Sequence, residues 1–365
     1  REKLALVMIA NRNYEGEITA ARRFATVNVA VPATVATRNV TPDVVPPAVT
    51  AVTPTSIAVT LDTWREAPFA MDDKGMQRVD RGIIPTQSLE AAKALANYIE
   101  NQLWAGLGPA VYGWAGIAGT TPFATDTSEY LDARKIGNNQ LMDIDPRFMV
   151  IDTDAEANAL GLRAFQDASF GGGANVIVNG QIGTKLGATW LMSQLVPTHT
   201  AGTNNGAAQT DATGYAIGLK SVTMDNAGTG SILVNDIITF ANHAQTYVVT
   251  TGDADVSSGA GTLSFLPGLT TALPSSNVVI TTKGASSTWV KNLLVHRDLQ
   301  TFAMAPLLDG VQVPGATLQA VAIDEASGLS LRLEVTRQHK QVQWSYDALF
   351  GHEVIRGTHG VWLAG

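Results

Sequence analysis

Residues 85–109 read PTQSLEAAKALANYIENQLWAGLGP, and this stretch carries the clearest structural pattern in the chain. Thr86 suits a helix N-cap, and Gly108 with Pro109 suits a helix end. We therefore predict a helix over 86–107, roughly 30 Å long at about 1.5 Å per residue. Its apolar residues recur at spacings of three and four and form one stripe: Ala92, Leu95, Ala96, Ile99, Leu103 and Leu107.

The segment before this helix, residues 24–84, holds six of the fifteen prolines. Two runs, 27–31 and 57–61, alternate apolar residues with small or polar ones, which is the pattern of a strand. Proline cannot donate to a β ladder, so the two runs and the proline-rich stretch between them predict an exposed hairpin. A lone hairpin is not stable in water, and we expect this one to lie on a neighbouring subunit.

Two shorter helices are predicted after the long one. They cover 126–136 and 153–166, and the second opens with Thr153 and Glu156 in the spacing of a capping box. Between them, residues 148–151 form a short apolar run that predicts a buried strand.

The composition changes again near residue 201. Residues 201–214 are rich in Gly, Ala, Asn and Thr and predict a linker, while 215–284 show no helical period. We interpret 215–288 as a small all-β module inserted into the rest of the chain, with 283–288 as its second hinge. Its predicted strands, separated by turn residues, are 231–233, 237–240, 247–250, 262–265 and 278–281.

The last part of the chain returns to a mixed pattern. We predict a strand at 293–295, a short helix at 297–305, and two long alternating strands at 329–337 and 342–350. Residues 338–341 are the turn between these two strands.

Length and composition limit the classes of protein that the chain can belong to. The 365 residues exceed the roughly 250–300 that one core holds, so we expect two or three domains, or one domain with long excursions. Only 15% of residues are charged, against about 25% in a typical soluble domain. This indicates surface hidden in contacts between subunits, or a simple preference for small residues over Lys and Glu.

Charge and cysteine content exclude further classes. A net charge of −8 argues against a protein that binds nucleic acid over its whole surface. With no Cys, disulfides and thiolate metal sites are excluded. The apolar run at 4–10 is too short to span a membrane and lacks a signal-peptide pattern, so we expect synthesis in the cytoplasm. The chain opens with Arg1 rather than Met, and we expect that residues preceding it are missing.

Two short motifs imitate catalytic signatures and fail at the next required residue. Residues 296–299 read HRDL like a kinase catalytic loop, but Ala303 stands where that loop needs Asn. His352 and Glu353 begin a zinc-protease motif, but Arg356 stands in place of its second His. The other histidines lack the spacing of metal ligands: His199, His243, His339 and His359.

Other signatures of catalysis are also missing from the sequence. It contains neither a phosphate-binding Walker sequence nor a Gly-x-Ser-x-Gly elbow. The acidic pairs Asp72-Asp73 and Asp324-Glu325 lie in polar, turn-like stretches typical of solvated loops. We therefore predict no catalytic residue, no cofactor-binding residue, no metal ligand and no cofactor.

Three sets of stretches are more distinctive when they are taken together and in order. They are VTLDTWREAPF (59–69) leading to the helix at 86–107; RFMV (147–150), AEANAL (155–160), GQIG (180–183) and HTAGT (199–203); and LVHRD (294–298) with GLSLRLEVTRQHK (328–340), running on to LAG (363–365). Together they span nearly the whole chain, and they resemble the P-twenty-two-like coat proteins of tailed bacteriophages.

This resemblance implies an α+β architecture, the HK-ninety-seven-like phage capsid fold. The implied parts are an N-terminal arm (1–30), an extended hairpin loop (31–85), a peripheral domain with a spine helix (86–135, completed by strands 328–350), an axial domain (136–214, completed by 289–327 and 351–365) and an inserted β domain (215–288).

The resemblance also implies a function. A protein of this family is a major capsid protein, a structural subunit rather than an enzyme, that self-assembles into the icosahedral head shell around double-stranded DNA. Its implied partners are copies of itself in hexamers and pentamers, scaffolding and portal proteins, a decoration protein, and packaged DNA through non-specific contact, without a membrane. Its implied location is the virion, with assembly in the host cytoplasm.

Three other interpretations stay open at this point. A secreted or surface β-rich adhesion protein would need a signal sequence, and a hydrolase would need converging catalytic residues. Some shells of the implied fold also join a loop Lys covalently to an Asn of a neighbour, and Lys74 lies in the predicted loop. Asp72 and Asp73 favour the ammonium form of Lys74, which opposes such a reaction, and we expect no cross-link.

Overall fold

The computed structural model describes residues 4–12, 26–31, 35, 37–40, 42, 55–78, 83–166, 180–258, 261–305, 307, 316–324 and 328–365. By its internal contacts the chain divides into two compact units. The first unit comprises residues 1–10, 96–300 and 356–365, and the second comprises 11–95 and 301–355.

The helices and strands of the described residues alternate along the chain. The α-helices are α1 (Ala5–Ile9), α2 (Asp73–Arg78), α3 (Ile83–Leu107), α4 (Ser128–Asn139), α5 (Thr153–Gly161) and α6 (Arg163–Gln166). The β-strands are β1 (Thr26–Val31), β2 (Thr55–Thr60), β3 (Thr63–Asp72), β4 (Gly113–Gly116), β5 (Arg147–Ile151), β6 (Thr184–Lys185), β7 (Ala188–Met192), β8 (Thr198–Thr200), β9 (Ser221–Thr223), β10 (Ile237–Phe240), β11 (Tyr247–Thr251), β12 (Thr262–Leu266), β13 (Ile280–Thr282), β14 (Thr288–His296), β15 (Gln300–Ala305), β16 (Ala316–Ile323), β17 (Ser330–Gln338), β18 (Gln341–Val354) and β19 (Gly360–Ala364).

The long helix α3 confirms the prediction made from its apolar stripe. It begins three residues before Thr86 and ends at Leu107, as predicted. Leu95, Ile99 and Leu103 are buried along one face, so the spacing of three and four does mark the packed side of the helix.

The first unit is built on a seven-stranded mixed sheet in the order β4-β19-β14-β5-β7-β6, with β8 also paired to β14. β4 runs parallel to β19, and β5 runs parallel to β7. Trp190 of β7 packs against Phe123, Tyr130 of α4 and Phe165 of α6. The ring centroids of these three residues lie 5.0–5.4 Å from that of Trp190. These aromatic rings anchor one face of the sheet to the helices.

The predicted β module has its own antiparallel sheet, in the order β13-β10-β11-β12-β9. Phe240, Tyr247 and Phe265 lie 5.2–5.3 Å from one another at its centre. The predicted strands at 237–240, 247–250 and 262–265 are confirmed within one residue at each end, and the last predicted strand starts two residues later than expected.

The predicted linker is wrong as a flexible segment. Ala201, Asn204, Ala208 and Thr210 are buried, and Ala208 belongs to the core of the β module. Small side chains favour a linker in the sequence, but in the structure they let the chain pack closely against the strands of the module.

The second unit contains a sheet in the order β15-β18-β17-β16, with β3 also paired to β18. The predicted strands 329–337 and 342–350 are confirmed as β17 and β18, and Gln338 pairs with Gln341 at the turn. The predicted pairing of 27–31 with 57–61 is also confirmed, with Val29 opposite Ile57.

Part of the hairpin is covered by its own chain. Val29, Val59 and Leu61 are buried in one cluster with Ala303 and Leu349 of the same unit. The expectation that this hairpin is covered only by a neighbour is therefore wrong for strands β1 and β2. Residues 43–54 of the predicted hairpin loop and residues 13–25 of the predicted arm lie outside the described residues.

Three local predictions need correction. Residues 297–305 are not a helix: only Arg297–Leu299 form a 3-10 turn, and β15 follows because a short apolar run fits a strand as well as a helix. The cap of α5 is Asp152 rather than Thr153, since its carboxylate accepts hydrogen bonds from the amides of Asp154 and Ala155. Ile232 makes an isolated bridge to Asp253 in place of the strand predicted at 231–233, whereas β9 was not predicted.

Candidate functional site

The sheet of the second unit extends beyond the residues that cover it. Its pairing of β3 with β18 runs from Thr63 opposite Phe350 to Asp72 opposite Gln341. Every side chain of β3 is exposed or half-buried. Because both faces of this strand keep solvent contact, the described part of the second unit does not supply a covering layer. The sheet is thus a candidate surface for another molecule.

A polar and an aromatic contact hold this exposed sheet in register. The Arg332 guanidinium pairs with the Asp347 carboxylate, with Nε 3.0 Å from Oδ1. The indole N–H of Trp64 donates to the same carboxylate at 2.9 Å. Phe69 stacks on Trp344 with ring centroids 5.3 Å apart. Strands β3, β17 and β18 are therefore tied together even where they are open to solvent.

Large apolar side chains remain exposed on this unit. Trp64 is 61% exposed although its indole nitrogen is bonded, and Leu318 and Ile323 of β16 are 55% and 63% exposed. Aromatic and aliphatic side chains of this kind form the centres of protein–protein interfaces. The geometry of the second unit therefore suits association better than chemistry.

A buried carboxylate anchors the N-terminal helix of the first unit. Glu100 of α3 is fully buried, and its carboxylate accepts the amide N–H groups of Leu6 and Val7 at 2.8 and 3.1 Å. Burial raises the pKa of Glu100 to about 7, although the two amide donors oppose that shift. The group therefore acts as a local anchor whose charge depends on pH.

A second buried charge lies where the β module joins the sheet. Asp236 accepts the amide N–H groups of Gly202 and Leu233 at 3.0 and 2.8 Å, and His199 Nε2 lies 2.8 Å away. Burial lowers the pKa of Lys291 to about 8, with the charge of Asp236 opposing the shift. The ammonium lies 5.6 and 5.3 Å from the ring centres of Trp289 and Trp362.

Lys291 has the lowered pKa of a reactive amine, but its ammonium group is hardly accessible to a substrate. Lys291 is 7% exposed, and its neighbours are two indole rings and the carboxylate that ties down the module. Its arrangement therefore fixes the orientation of the module on the sheet and leaves little room for a substrate.

The incomplete motifs and the acidic pair Asp72-Asp73 have the following places in the structure. His352 and Glu353 lie on strand β18, where a zinc-protease motif would need a helix. In the HRDL stretch, His296 accepts the amide N–H of Asp298 at 3.2 Å. Asp72 and Asp73 are engaged locally: Asp72 accepts the amide N–H of Gly75 at 2.6 Å, and Asp73 pairs with Arg337 at 2.9 Å.

The structure also brings together three residues that the sequence did not link. One ligand atom from each of Asp143, His296 and His359 lies within 4.8 Å of the other two. From the sequence alone, His359 lacks the spacing of a metal ligand and His296 belongs to the incomplete kinase-like stretch. Only the tertiary fold could reveal this cluster, because the three positions are far apart in the chain.

Comparison with solved structures identifies the fold. A chain from Mycobacterium phage Che8 has a TM-score of 0.52 at 14% identity, over 99% of this chain and 90% of that one. A chain from the capsid of Cyanophage P-SCSP1u has a TM-score of 0.51 at 10% identity, over 96% and 91%. A chain from the capsid of an empty GTA particle has a TM-score of 0.50 at 11% identity, over 99% and 90%. The chain therefore has an α+β fold shared with phage capsid chains.

The remaining comparisons add no relative. No protein family and no curated protein matches the sequence. No helix among the described residues is long and apolar enough to cross a membrane.

Proposed function

We propose that this chain is the major capsid protein of a tailed bacteriophage. The single observation that carries the proposal is the fold likeness to phage capsid chains, which extends over nearly the whole of this chain. The exposed sheet of the second unit supports it, because a shell subunit needs surfaces that only its neighbours cover.

The parts of the fold fit the HK-ninety-seven-like arrangement that the sequence resemblance implies. In this assignment α3 is the spine helix, the strands β1 and β2 belong to the extended loop, and the sheet of the first unit is the axial domain. The β module with its own core takes the role of the inserted domain. The domain boundaries given above remain part of this proposal.

The proposed role is structural rather than enzymatic. Copies of the chain would form hexamers and pentamers of the head shell, with scaffolding and portal proteins as assembly partners. Packaged double-stranded DNA would be contacted without sequence preference, a decoration protein could bind outside, and the chain would reside in the virion after assembly in the host cytoplasm. The net charge of −8 suits an inner surface that does not trap the genome.

Electron microscopy of the purified chain, expressed with its scaffolding protein, tests the proposal. We expect closed shells of uniform size. Only monomers under every assembly condition, as judged by sedimentation, would refute a capsid function.

A pair of variants tests the surface that we assign to assembly. Changing Leu318 and Ile323 to Asp places charges on the exposed edge strand β16 and should leave soluble subunits with an unchanged circular dichroism spectrum. The matched control is Ile217→Asp in the β module, where the side chain is 68% exposed, and it should assemble like the unmodified chain. Normal shells from the double variant would remove β16 from the assembly surface without touching the capsid assignment.

A further inference from the structure

Three side chains meet at one end of the seven-stranded sheet of the first unit. His359 Nε2 lies 3.4 Å from a carboxylate oxygen of Asp143. The ring of His296 stands edge-on to that of His359, with centroids 5.3 Å apart. We propose that Asp143, His296 and His359 bind one divalent transition-metal ion of the zinc type.

The strand order explains why residues so distant in sequence meet. His296 ends β14, His359 immediately precedes β19, and Asp143 lies in the loop that leads to β5. These strands are neighbours in the order β19-β14-β5. Arg147 then fixes the loop, since its guanidinium donates to the carbonyl oxygens of Asp143 and Met142 at 2.7 and 2.6 Å. The sheet thus holds the donors from three directions.

The second nitrogen of each imidazole has a polar neighbour, although in a protein metal site that nitrogen donates its N–H, whereas His296 Nδ1 accepts one here. His359 Nδ1 lies 3.0 Å from Thr358 Oγ1. His296 Nδ1 lies 3.2 Å from the amide of Asp298 and 3.9 Å from its carboxylate. That leaves Nε2 of His296 directed at the Asp143 loop, 3.4 Å from the Asp145 carbonyl oxygen.

Metal binding requires a specific exchange of hydrogen bonds at His296. A ligating Nε2 must lose its proton, so Nδ1 must carry the remaining one and donate it. The Asp298 carboxylate, 3.9 Å from Nδ1, can accept a hydrogen bond from that N–H after a small rotation of the ring, in place of the present contact with the amide. Asp298 is therefore the supporting residue of the site.

The donor set selects the class of ion. Two imidazoles and one carboxylate suit zinc, cobalt or nickel, whereas magnesium and calcium prefer oxygen ligands throughout. Ligands of a tetrahedral zinc ion stand about 3.3 Å apart, given bonds of about 2.0–2.1 Å. The cluster spans up to 4.8 Å and must contract, which Asp143 permits because its side chain is 60% exposed. Solvent would complete the coordination.

Nearby charges act in both directions. Arg356 lies close enough to oppose a positive charge at His359, while Asp143 favours one. The Arg147 guanidinium donates to the loop carbonyl oxygens, and the Asp298 carboxylate adds a negative charge near His296. The competing explanation is a metal-free Asp–His hydrogen bond beside two packed imidazole rings.

Zinc analysis of the untagged subunit distinguishes these explanations. After treatment with a chelator and gel filtration, we expect one zinc ion to rebind per chain and to raise the melting temperature, with magnesium and calcium having no such effect. X-ray absorption at the zinc edge should report two imidazole nitrogens together with oxygen. An absence of stoichiometric zinc, or a shell of oxygen ligands only, would overturn the proposal.

Variants locate the bound ion. Asp143→Asn removes an exposed ligand and should weaken zinc binding at least about tenfold. Asp298→Asn removes the supporting carboxylate and should weaken zinc binding by a smaller factor. Asp132→Asn is the control, since that carboxylate is exposed on α4 of the same unit, and the affinity for zinc should not change. Equal affinity in Asp143→Asn and the unmodified chain would place the zinc elsewhere and refute the site.

Discussion

The β module and the open sheet of the second unit are both made of antiparallel strands, but they differ in how far the side chains of those strands are buried. The module surrounds Phe240, Tyr247 and Phe265 with a closed core of buried residues. In the open sheet, by contrast, not one side chain of β3 is buried. Among the described residues, one region is covered by its own chain, whereas the other stays open to solvent.

Strand length accounts for much of this difference. The strands of the module have three to five residues, so turns return the chain across the same small core. β17 and β18 have 9 and 14 residues and extend past the part of the unit that can cover them. β3 and β17 therefore keep contact with solvent along most of their length.

Two expressed fragments of the β module, one of which begins at the boundary predicted from sequence, test whether the module is covered by its own residues. A fragment of residues 215–288 lacks Ala208 and Thr210, whereas a fragment of 201–288 keeps them. Hydrogen bonds tie these residues to Val278 and Ile280, and Asn204 also donates to the Ile280 carbonyl oxygen.

We expect the longer fragment to melt cooperatively and the shorter one to lose at least about 4 kcal/mol of unfolding free energy, at about 1 kcal/mol for each of these four bonds. Urea denaturation followed by circular dichroism measures both. Equal stability of the two fragments would show that 201–214 is a linker after all.

A pH series tests a part of the first unit that lies outside both regions. The pKa of Glu100 is raised from 4.5 to about 7, so its stabilising contribution is complete below about pH 4.5 and is lost as the pH rises through about 7. Between those limits the unmodified chain should lose about 3 kcal/mol relative to Glu100→Gln, which cannot ionise.

Denaturation of both chains from pH 4.5 to pH 8 gives this difference directly. Parallel pH profiles for the two chains would mean that Glu100 keeps an ordinary pKa in the folded protein.

Two ion pairs, one shielded and one exposed, test which contacts stabilise the open sheet of the second unit. Asp347→Asn leaves the guanidinium of Arg332 without its charged partner, and both side chains are largely shielded, at 13% and 6% exposure. We expect a loss of about 2 kcal/mol, below the range for a fully buried pair.

The matched control on the same sheet is Asp73→Asn, which breaks the exposed pair with Arg337 and should cost about 0.5 kcal/mol. Thermal denaturation of the subunit compares the two variants. Similar losses from both would mean that the shielding of Arg332 and Asp347 adds nothing to the strength of their contact.

The smallest expected effect is that of Lys74. It is exposed on α2, while Asp72 and Asp73 beside it are engaged with Gly75 and Arg337. Lys74→Arg should leave particles unchanged, and boiled particles should give a single band near the 38.4 kDa chain mass on a denaturing gel. A ladder that survives denaturation and disappears in Lys74→Arg would establish a covalent link.

The sequence predicted those elements whose periodicity is local. The stripe from Ala92 to Leu107 located α3, and the alternation in 329–350 located β17 and β18, because each pattern repeats over several turns or pleats. The segment 297–305 failed for the opposite reason: its apolar run is too short to distinguish a strand from a helix, and pairing with β18 decides its state.

Sites that depend on tertiary contacts could not be predicted. Asp143, His296 and His359 meet only because β5, β14 and β19 are neighbours in the sheet. The buried state of Glu100 likewise depends on α1 packing against α3, since a Glu within an amphipathic helix ordinarily indicates a solvated face. The small residues of 201–214 favour a linker in the sequence, but in the structure their small volume permits close packing against the β module.

The position of β19 has a consequence for how the chain is made. Residues 360–364 form a strand between β4 and β14, in the interior of the main sheet. A ribosome has therefore released almost every other part of the sheet before the strand that joins β4 to it emerges. A polypeptide whose translation stops anywhere before residue 360 has a gap at this position. Such a product lacks the strand between β4 and β14, so its main sheet is incomplete.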